Sequence, residues 1–424
     1  MTRTTGRFAF VAILVATAAA GARAQAPPGA VTVAQAVTEA VDHNLSLLAE
    51  RYNVTVADAA VLTAGLRPNP VFTADVILPD SNLMDTGVGL REGVVRTDYV
   101  VERAGKRDRR IDQATLARSV AELQLLDSTR KLVLDVETAC ADVQLARLNL
   151  SLAQENLDAF NNVVGVNVER VRTGDLAEVE LARSRLAALQ FRNDVEQQTA
   201  RLAVARTRLE GLLGRRPAGA IEVIGNLRDD PAALDRDVLL TRALEMRPDV
   251  RAARADQARS VADLRLQLAN GKIDYTISGE YHRQNGKGFT GDVSGNTYAV
   301  YFSVPVPIFN RNQGEVARAR TQQQQLDAKT RALEADVVAG LDSAFIEYTS
   351  ARTIVERIER DMLMQARDVR TTMEYSYRRG EASLVEFLDA VRTFNDTTRG
   401  YNEARADYAR SLYTLDAIAG KVTP

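Results

Sequence analysis

Two stretches of this chain, about half its length apart, repeat one pattern with no insertion between them. Around Gly174 the sequence reads RTGDLAEVELARS and continues with helical periodicity to LEGLLG at Gly214. Around Gly380 it reads YRRGEASLVEFLDA and continues to LDAIAG at Gly420. Val179 and Glu180 recur as Val385 and Glu386, and Leu209 recurs as Leu415. Identity is low and spacing is matched, which is how a duplicated long-helix hairpin looks. Such a unit buries its apolar face against neighbouring units, so the repeat argues for a built object rather than an enzyme.

Composition agrees. Aromatic residues make up only 5% of the chain and tryptophan is absent, which favours one helical body over several mixed domains. The formal charge of −2 offers no field for nucleic acid. The single cysteine, Cys140, lies on an apolar stripe with Leu132, Val136 and Val143 and reads as a small buried side chain. At the N-terminus, Arg3 and Arg7 precede an apolar run ending near Ala20, and Ala22-Arg23-Ala24 has the small-x-small cleavage pattern. Residues 1–24 are therefore expected to be a cleaved signal peptide. No cysteine follows the apolar run, so a lipid-modified N-terminus is not expected.

The periodicity predicts a first repeat over 25–213, a Gly/Pro-rich linker over 214–234 and a second repeat over 235–424. In each repeat a helix leads into two strands and then two long helices. The strands are expected at 71–78 and 94–102, and again at 273–283 and 297–306. The long helices are expected at 106–172, 175–213, 312–378 and 381–419, with a shorter one over 235–269. Thr32 with Gln35 reads as a capping box opening the first helix.

The strands alternate. Ile273, Tyr275, Ile277 and Tyr281 share one face, with Asp274, Thr276, Ser278, Glu280 and His282 on the other. Tyr298, Val300, Phe302 and Val304 likewise alternate with Thr297, Tyr301 and Ser303. The apolar side suits lipid and the polar side suits water. A membrane barrel needs about eight strands at least, and an open sheet edge in lipid leaves backbone groups unpaired. Four strands per chain therefore require several chains to share one barrel, and three would supply twelve. Beneath them, helices of this length span roughly 100 Å at about 1.5 Å per residue. Leu333, Val337, Leu341, Tyr348, Val355, Ile358, Met362, Val369 and Met373 form an apolar stripe spaced at about 3.6 residues, as on a nearly straight helix in the wall of a tube.

No catalytic constellation, cofactor motif or metal-ligand spacing appears. His43 and His282 are far apart in sequence, and Met362, Met364 and Met373 at helical spacing read as core rather than as soft-metal ligands. The basic run 102–110 reads as a solvated interfacial collar. The informative sites are the two helical turns, each with a glycine flanked by base before and acid after. Past the second turn Glu386 and Asp389 share a helical face, and Glu180 is the first-repeat counterpart of Glu386.

With RPNP (67–70), RPDV (247–250), GEASLVEFLDA (380–390) and the closing LDAIAG, the chain resembles the TolC-like outer membrane efflux proteins over essentially all of its mature sequence. PVPIFNRNQGE (305–315) and AGKR (104–107) look most like the heavy-metal, CzcC- and CusC-like branch. The resemblance implies a homotrimeric duct in the outer membrane of a Gram-negative bacterium: a shared twelve-stranded β-barrel, continued by an α-helical barrel built from the duplicated hairpins. A periplasmic adaptor and an inner-membrane pump of the resistance-nodulation-division class would complete a tripartite efflux machine for heavy-metal cations. The runner-up is a drug-efflux or type I protein-secretion duct. The alternative from another class is a periplasmic coiled-coil adaptor or structural protein, of which the adaptor would carry one hairpin and no membrane strands. By the same resemblance Glu180, Tyr377, Glu386 and Asp389 are gate candidates. The adaptor would touch the turns at Arg172, Gly174 and Asp175 and at Arg378, Arg379, Gly380 and Glu381. A basic residue that braces the closed entrance in the family has no match here, because Ala382 stands in its place.

Overall fold

The computed structural model describes residues 29–78, 89–216, 221–230 and 232–422. The signal segment, most of the loop after residue 78 and part of the 214–234 linker lie outside them. A short strand β1 (Ala30–Val31) precedes α1 (Val33–His43) and α2 (Leu45–Ala64), followed by β2 (Val71–Ile77) and β3 (Gly89–Val101). Then come α3 (Lys106–Thr173) and α4 (Glu178–Leu212). The second half runs β4 (Glu222–Val223), α5 (Arg236–Met246), α6 (Pro248–Asn270), β5 (Tyr275–Gly288) and β6 (Gly291–Ser303). It ends with α7 (Gln313–Arg357), a π turn (Ile358–Met362), α8 (Leu363–Arg379) and α9 (Leu384–Ile418). Thr32 and Gln35 make the expected capping box on α1.

Two expected helices are corrected. The one over 235–269 is two helices, because Pro248 has no N–H to give and holds Arg247 extended (φ −58°, ψ 125°). The one over 312–378 is interrupted by the π turn. The strands β3, β5 and β6 run further toward their loop ends than their alternation showed, while β5 begins at Tyr275 rather than 273 and β6 ends at Ser303 rather than 306. The added residues are glycine-rich, with pairs such as Gly89 with Lys287 and Gly288 with Gly291.

The four long strands form one antiparallel sheet in the order β2-β3-β5-β6, so the hairpins of the two repeats pair with each other through β3 and β5. Register puts Phe72, Ala74 and Val76 beside Val95 and Tyr99, then Ile277 and Tyr281, then Tyr298, Val300 and Phe302, all on one face. Tyr298, Val300 and Phe302 are 78%, 82% and 68% exposed, an apolar surface with no cover among the described residues. The opposite face is a polar network. Arg96 donates to Asp98 at 2.7 Å, Ser278 donates to the same carboxylate, Tyr301 donates to Glu280 at 3.1 Å, and Gln284 donates to Glu92 at 3.2 Å. Among the described residues no helix is long and apolar enough to cross a membrane.

Beneath the sheet α3 is the central staff, packed against α1, α2, α4, α6 and α9, while α7 packs on α5, α6 and α9. The main core (Val37, Val136, Cys140, Leu209, Ile221 and Val223) gathers α1, α3, α4 and the parallel β1–β4 pair into a belt. The basic run 102–110 is more than a solvated collar. Arg107 donates to the carbonyl of Gly65 and Arg110 to that of Leu66, closing the C-terminal end of α2. Lys106 is buried against Asp274 at 2.6 Å.

Candidate functional site at the helical turns

Both turns are built by the same backbone device. At the first, Gly174 adopts φ 84°, its N–H reaches the carbonyl of Val171, and Asp175 N–H reaches that of Arg170 at 2.8 Å. At the second, Gly380 adopts φ 79°, its N–H reaches Tyr377, and Glu381 N–H reaches Ser376 at 2.9 Å. This is a paired closure of a helix end through a left-handed residue, the conformation glycine adopts without strain. Gly380 carries a further constraint, since an added Cβ would lie 3.2 Å from the Arg170 guanidinium.

The turns differ in how the next helix begins. After the first, α4 starts at Ala177 with no side-chain cap. After the second, Ser383 and Glu386 form a capping box: Ser383 N–H donates to Glu386 Oε2 at 2.8 Å and Glu386 N–H donates to Ser383 Oγ at 3.3 Å. The hydrogen bonds from the Ser383 backbone and side chain hold the Glu386 carboxyl below its ordinary range. The S-x-x-E spacing was there to be seen in the sequence. Asp389 is exposed and makes no hydrogen bond or ion pair among the described residues. Glu180 is half-buried and pairs with Arg183 at 2.8 Å.

Tyr377 joins the repeats. It is buried, its hydroxyl donates to Asn167 of α3 at 3.0 Å, and its ring stacks on Phe387 with centroids 5.4 Å apart. Arg170 lies 6.0 Å over the same ring and donates to the Tyr377 carbonyl at 3.3 Å. Phe160 stacks on Phe387 in turn and touches Phe191 of α4 at 5.1 Å. Burial raises the Tyr377 hydroxyl above its ordinary pKa, and Glu180 is close enough to add to that shift. Of the gate candidates the chain thus brings Tyr377 and Glu180 near each other. Asn167 and Arg170 were not legible, because each acts through Tyr377, about two hundred residues away, and Phe160 and Phe387 gave no sign of stacking on each other across the two repeats.

The adaptor candidates lie at the exposed tip. Arg172 pairs with Glu169 at 2.8 Å, Arg378 with Glu374 at 2.6 Å, and Arg379 with Glu381 at 3.8 Å. Asp175 accepts from Thr173 at 2.7 Å. Beside them an open groove of about 780 Å³ runs between α3 and α8, lined by Asn162, Val166, Glu169, Arg170, Thr173 and Arg378. Among the described residues no group of three or more His, Cys, Asp or Glu side chains could hold a metal. Met373 packs on the tip cluster as expected of core, whereas Met362 and Met364 are exposed.

Set beside known proteins, the chain is matched over residues 36–215 and 239–421 by the family described as "Outer membrane efflux protein", one match per repeat. The cobalt-zinc-cadmium resistance protein CzcC of Cupriavidus metallidurans is 23% identical over 393 residues, covering 93% of this chain and 91% of its own. The solved structure of CusC, a study of folding and transmembrane channel formation, superposes with a TM-score of 0.75 at 18% identity, covering 92% of each chain. The open-state MtrE outer membrane channel of Neisseria gonorrhoeae also gives 0.75, at 17% identity over 92% of this chain and 89% of its own.

Proposed function

The chain belongs to the outer membrane efflux protein family, and from that premise we propose that it is the exit duct of a tripartite pump that expels heavy-metal cations. Three copies would close the barrel. The observation that carries this is the four-stranded sheet, apolar on one face, polar on the other, and, among the described residues, unpaired along the outer edges of β2 and β6. In lipid those edges must find partners, and copies of the same chain supply them. The polar faces would then line an aqueous lumen continued by the helical barrel. An inner-membrane pump of the resistance-nodulation-division class would supply the energy, and an adaptor would dock at the turns and in the groove between α3 and α8. The cargo follows from likeness to a protein named for cobalt, zinc and cadmium resistance over nearly the whole chain.

Gating is assigned to the tips. Three copies of Glu386 and Asp389 would form an acidic constriction, opened when adaptor binding splays the 312–419 hairpins. The capping box gives Glu386 a second job, so Asp389→Asn is the cleaner probe. It should weaken divalent-cation block of the trimer in a planar bilayer without loosening the turn. Unchanged block in both Asp389→Asn and the Glu386→Ala, Asp389→Ala double variant would sink the acidic gate. For cargo, a deletion strain should become sensitive to zinc, cobalt or cadmium. Sensitivity confined to lipophilic drugs would keep the duct and reject the metals.

A further inference from the structure

The π turn at Ile358–Met362 breaks a helix whose first-repeat counterpart, the middle of α3, is uninterrupted. Its backbone closes through Leu363 N–H to the Ile358 carbonyl, and Met362 stands at φ −112°, far from the helical value of about −63°. The wider turn also disturbs the buried face. Above it Val337, Leu341, Ala344 and Tyr348 are buried, while Met362 at its end and Val369 below it are exposed, Ala366 and Tyr377 are buried, and Met373 of the expected stripe packs on the tip cluster.

A second weak point lies opposite. The Tyr401 hydroxyl of α9 donates to Glu359 of the π turn at 3.0 Å, which puts Gly400 at the same level. Gly400 is a helix-interior glycine with nothing within 4 Å of where a Cβ would stand, so no neighbour demands it. By the offset between the two turns, its first-repeat counterpart is Asp194, which pairs with Arg399.

The seam between α9 and α3 at this level is polar. Asn402 donates to Asn149 at 3.1 Å, both buried. One heptad nearer the tip, Asn395 and Asn156 are buried with each Oδ1 unmatched by protein, and so are Gln198 Oε1 and Arg399 Nε. An interface with buried groups left unmatched in one arrangement gains least from staying in it. Aromatic packing flanks this band on both sides, with Tyr348 on Tyr408 above and Phe160, Tyr377 and Phe387 below.

We propose that the second hairpin bends at a built-in hinge formed by the π turn and Gly400, with the asparagine seam as the plane along which α9 shifts. The first hairpin has no such hinge and acts as the stator. The inference rests on the duct reading and adds where the movement is seated.

The test is single-channel recording of the full trimer in planar bilayers, in a Tyr377→Phe background that releases the tip and should raise open occupancy. Deleting Arg360, an exposed π-turn residue, restores ordinary helical spacing without disturbing the core. Gly400→Ala stiffens α9 and folds even where the deletion does not. Either change should cut the open occupancy of the background at least tenfold, while Gly340→Ala, higher on α7, should leave it unchanged. Open occupancy unaffected by Gly400→Ala and by the deletion overturns the hinge, as does an equal loss with Gly340→Ala. A wild-type chain that forms no trimeric channel removes the duct reading before any variant is compared, and the hinge with it.

Discussion

Helices α3 and α7 occupy equivalent places in the two repeats and begin alike. Each follows a barrel strand through a residue at positive φ, Gly105 at 64° and Asn312 at 62°. They then diverge. α3 runs 68 residues without a break, held by α1, α2, α4, α6 and α9, while α7 runs 45 residues before the π turn and has fewer neighbours. The turns diverge in the same way, with a capping box on one and none on the other. The two repeats carry one hairpin each, and their cover differs: α3, held by five helices, keeps one register, while α7, with fewer neighbours, gives way to the wider π turn.

The largest test of that difference is at the tips. Phe387 stacks between Tyr377 and Phe160, and its counterpart by the turn offset is Leu181, which is only half-buried. Phe387→Ala should cost about 3–5 kcal/mol and Leu181→Ala roughly half as much or less, since the loss scales with the packing removed. The reading is the temperature at which the detergent-solubilised protein loses its helical signal. Equal losses would mean that the two hairpins are packed alike, and the comparison would fall.

Burial of α3 can be tested through pH. Glu137 is 7% exposed on α3. Burial, and then the neighbouring Asp416, push the Glu137 carboxyl up to about 7, against smaller opposing effects of Lys421 and Arg228. A raised carboxyl binds its proton more tightly folded than unfolded. Its cost is therefore absent below pH about 4.5, grows as pH rises, and is complete above about 7. Glu137→Gln should remove that slope and stabilise the protein by as much as about 3 kcal/mol at pH 8, with no gain at pH 4. A stability difference that does not change between pH 4 and pH 8 would show that α3 does not bury this acid.

Much of this architecture was legible in the sequence because it is periodic. The doubled Gly174 and Gly380 patterns announced the hairpins, and the alternation through Tyr298, Val300 and Phe302 announced the sheet. What stayed hidden has no period. The π turn costs one residue in a stripe that tolerates irregular spacing, so Met362 and Val369 read as core and are exposed. The break at Arg247-Pro248 was visible as a motif but went unread as a boundary. At the tip, Tyr377 was found through family likeness, while Asn167 and Arg170 gave no signal because an ordinary polar residue on α3 becomes significant only when a distant turn is laid against it.

The smallest expected effect is the most direct on the turns. Ala177-Glu178-Val179-Glu180 differs from Ser383-Leu384-Val385-Glu386 in lacking the hydroxyl that would accept from the third helical N–H. Glu180 already stands where the returning carboxylate is needed, although it now pairs with Arg183 at 2.8 Å. Ala177→Ser should therefore install a box on the first hairpin and gain about 0.5–1 kcal/mol, while Ser383→Ala should lose about 1 kcal/mol from the second. Slowed backbone amide exchange at residues 178–180 would report the new cap locally, where a change in global stability this small is hard to read. If Ala177→Ser leaves that exchange unchanged while Ser383→Ala accelerates it at 384–386, Arg183 holds Glu180 too firmly. The difference between the turns then lies in the ion pair and not in the missing hydroxyl.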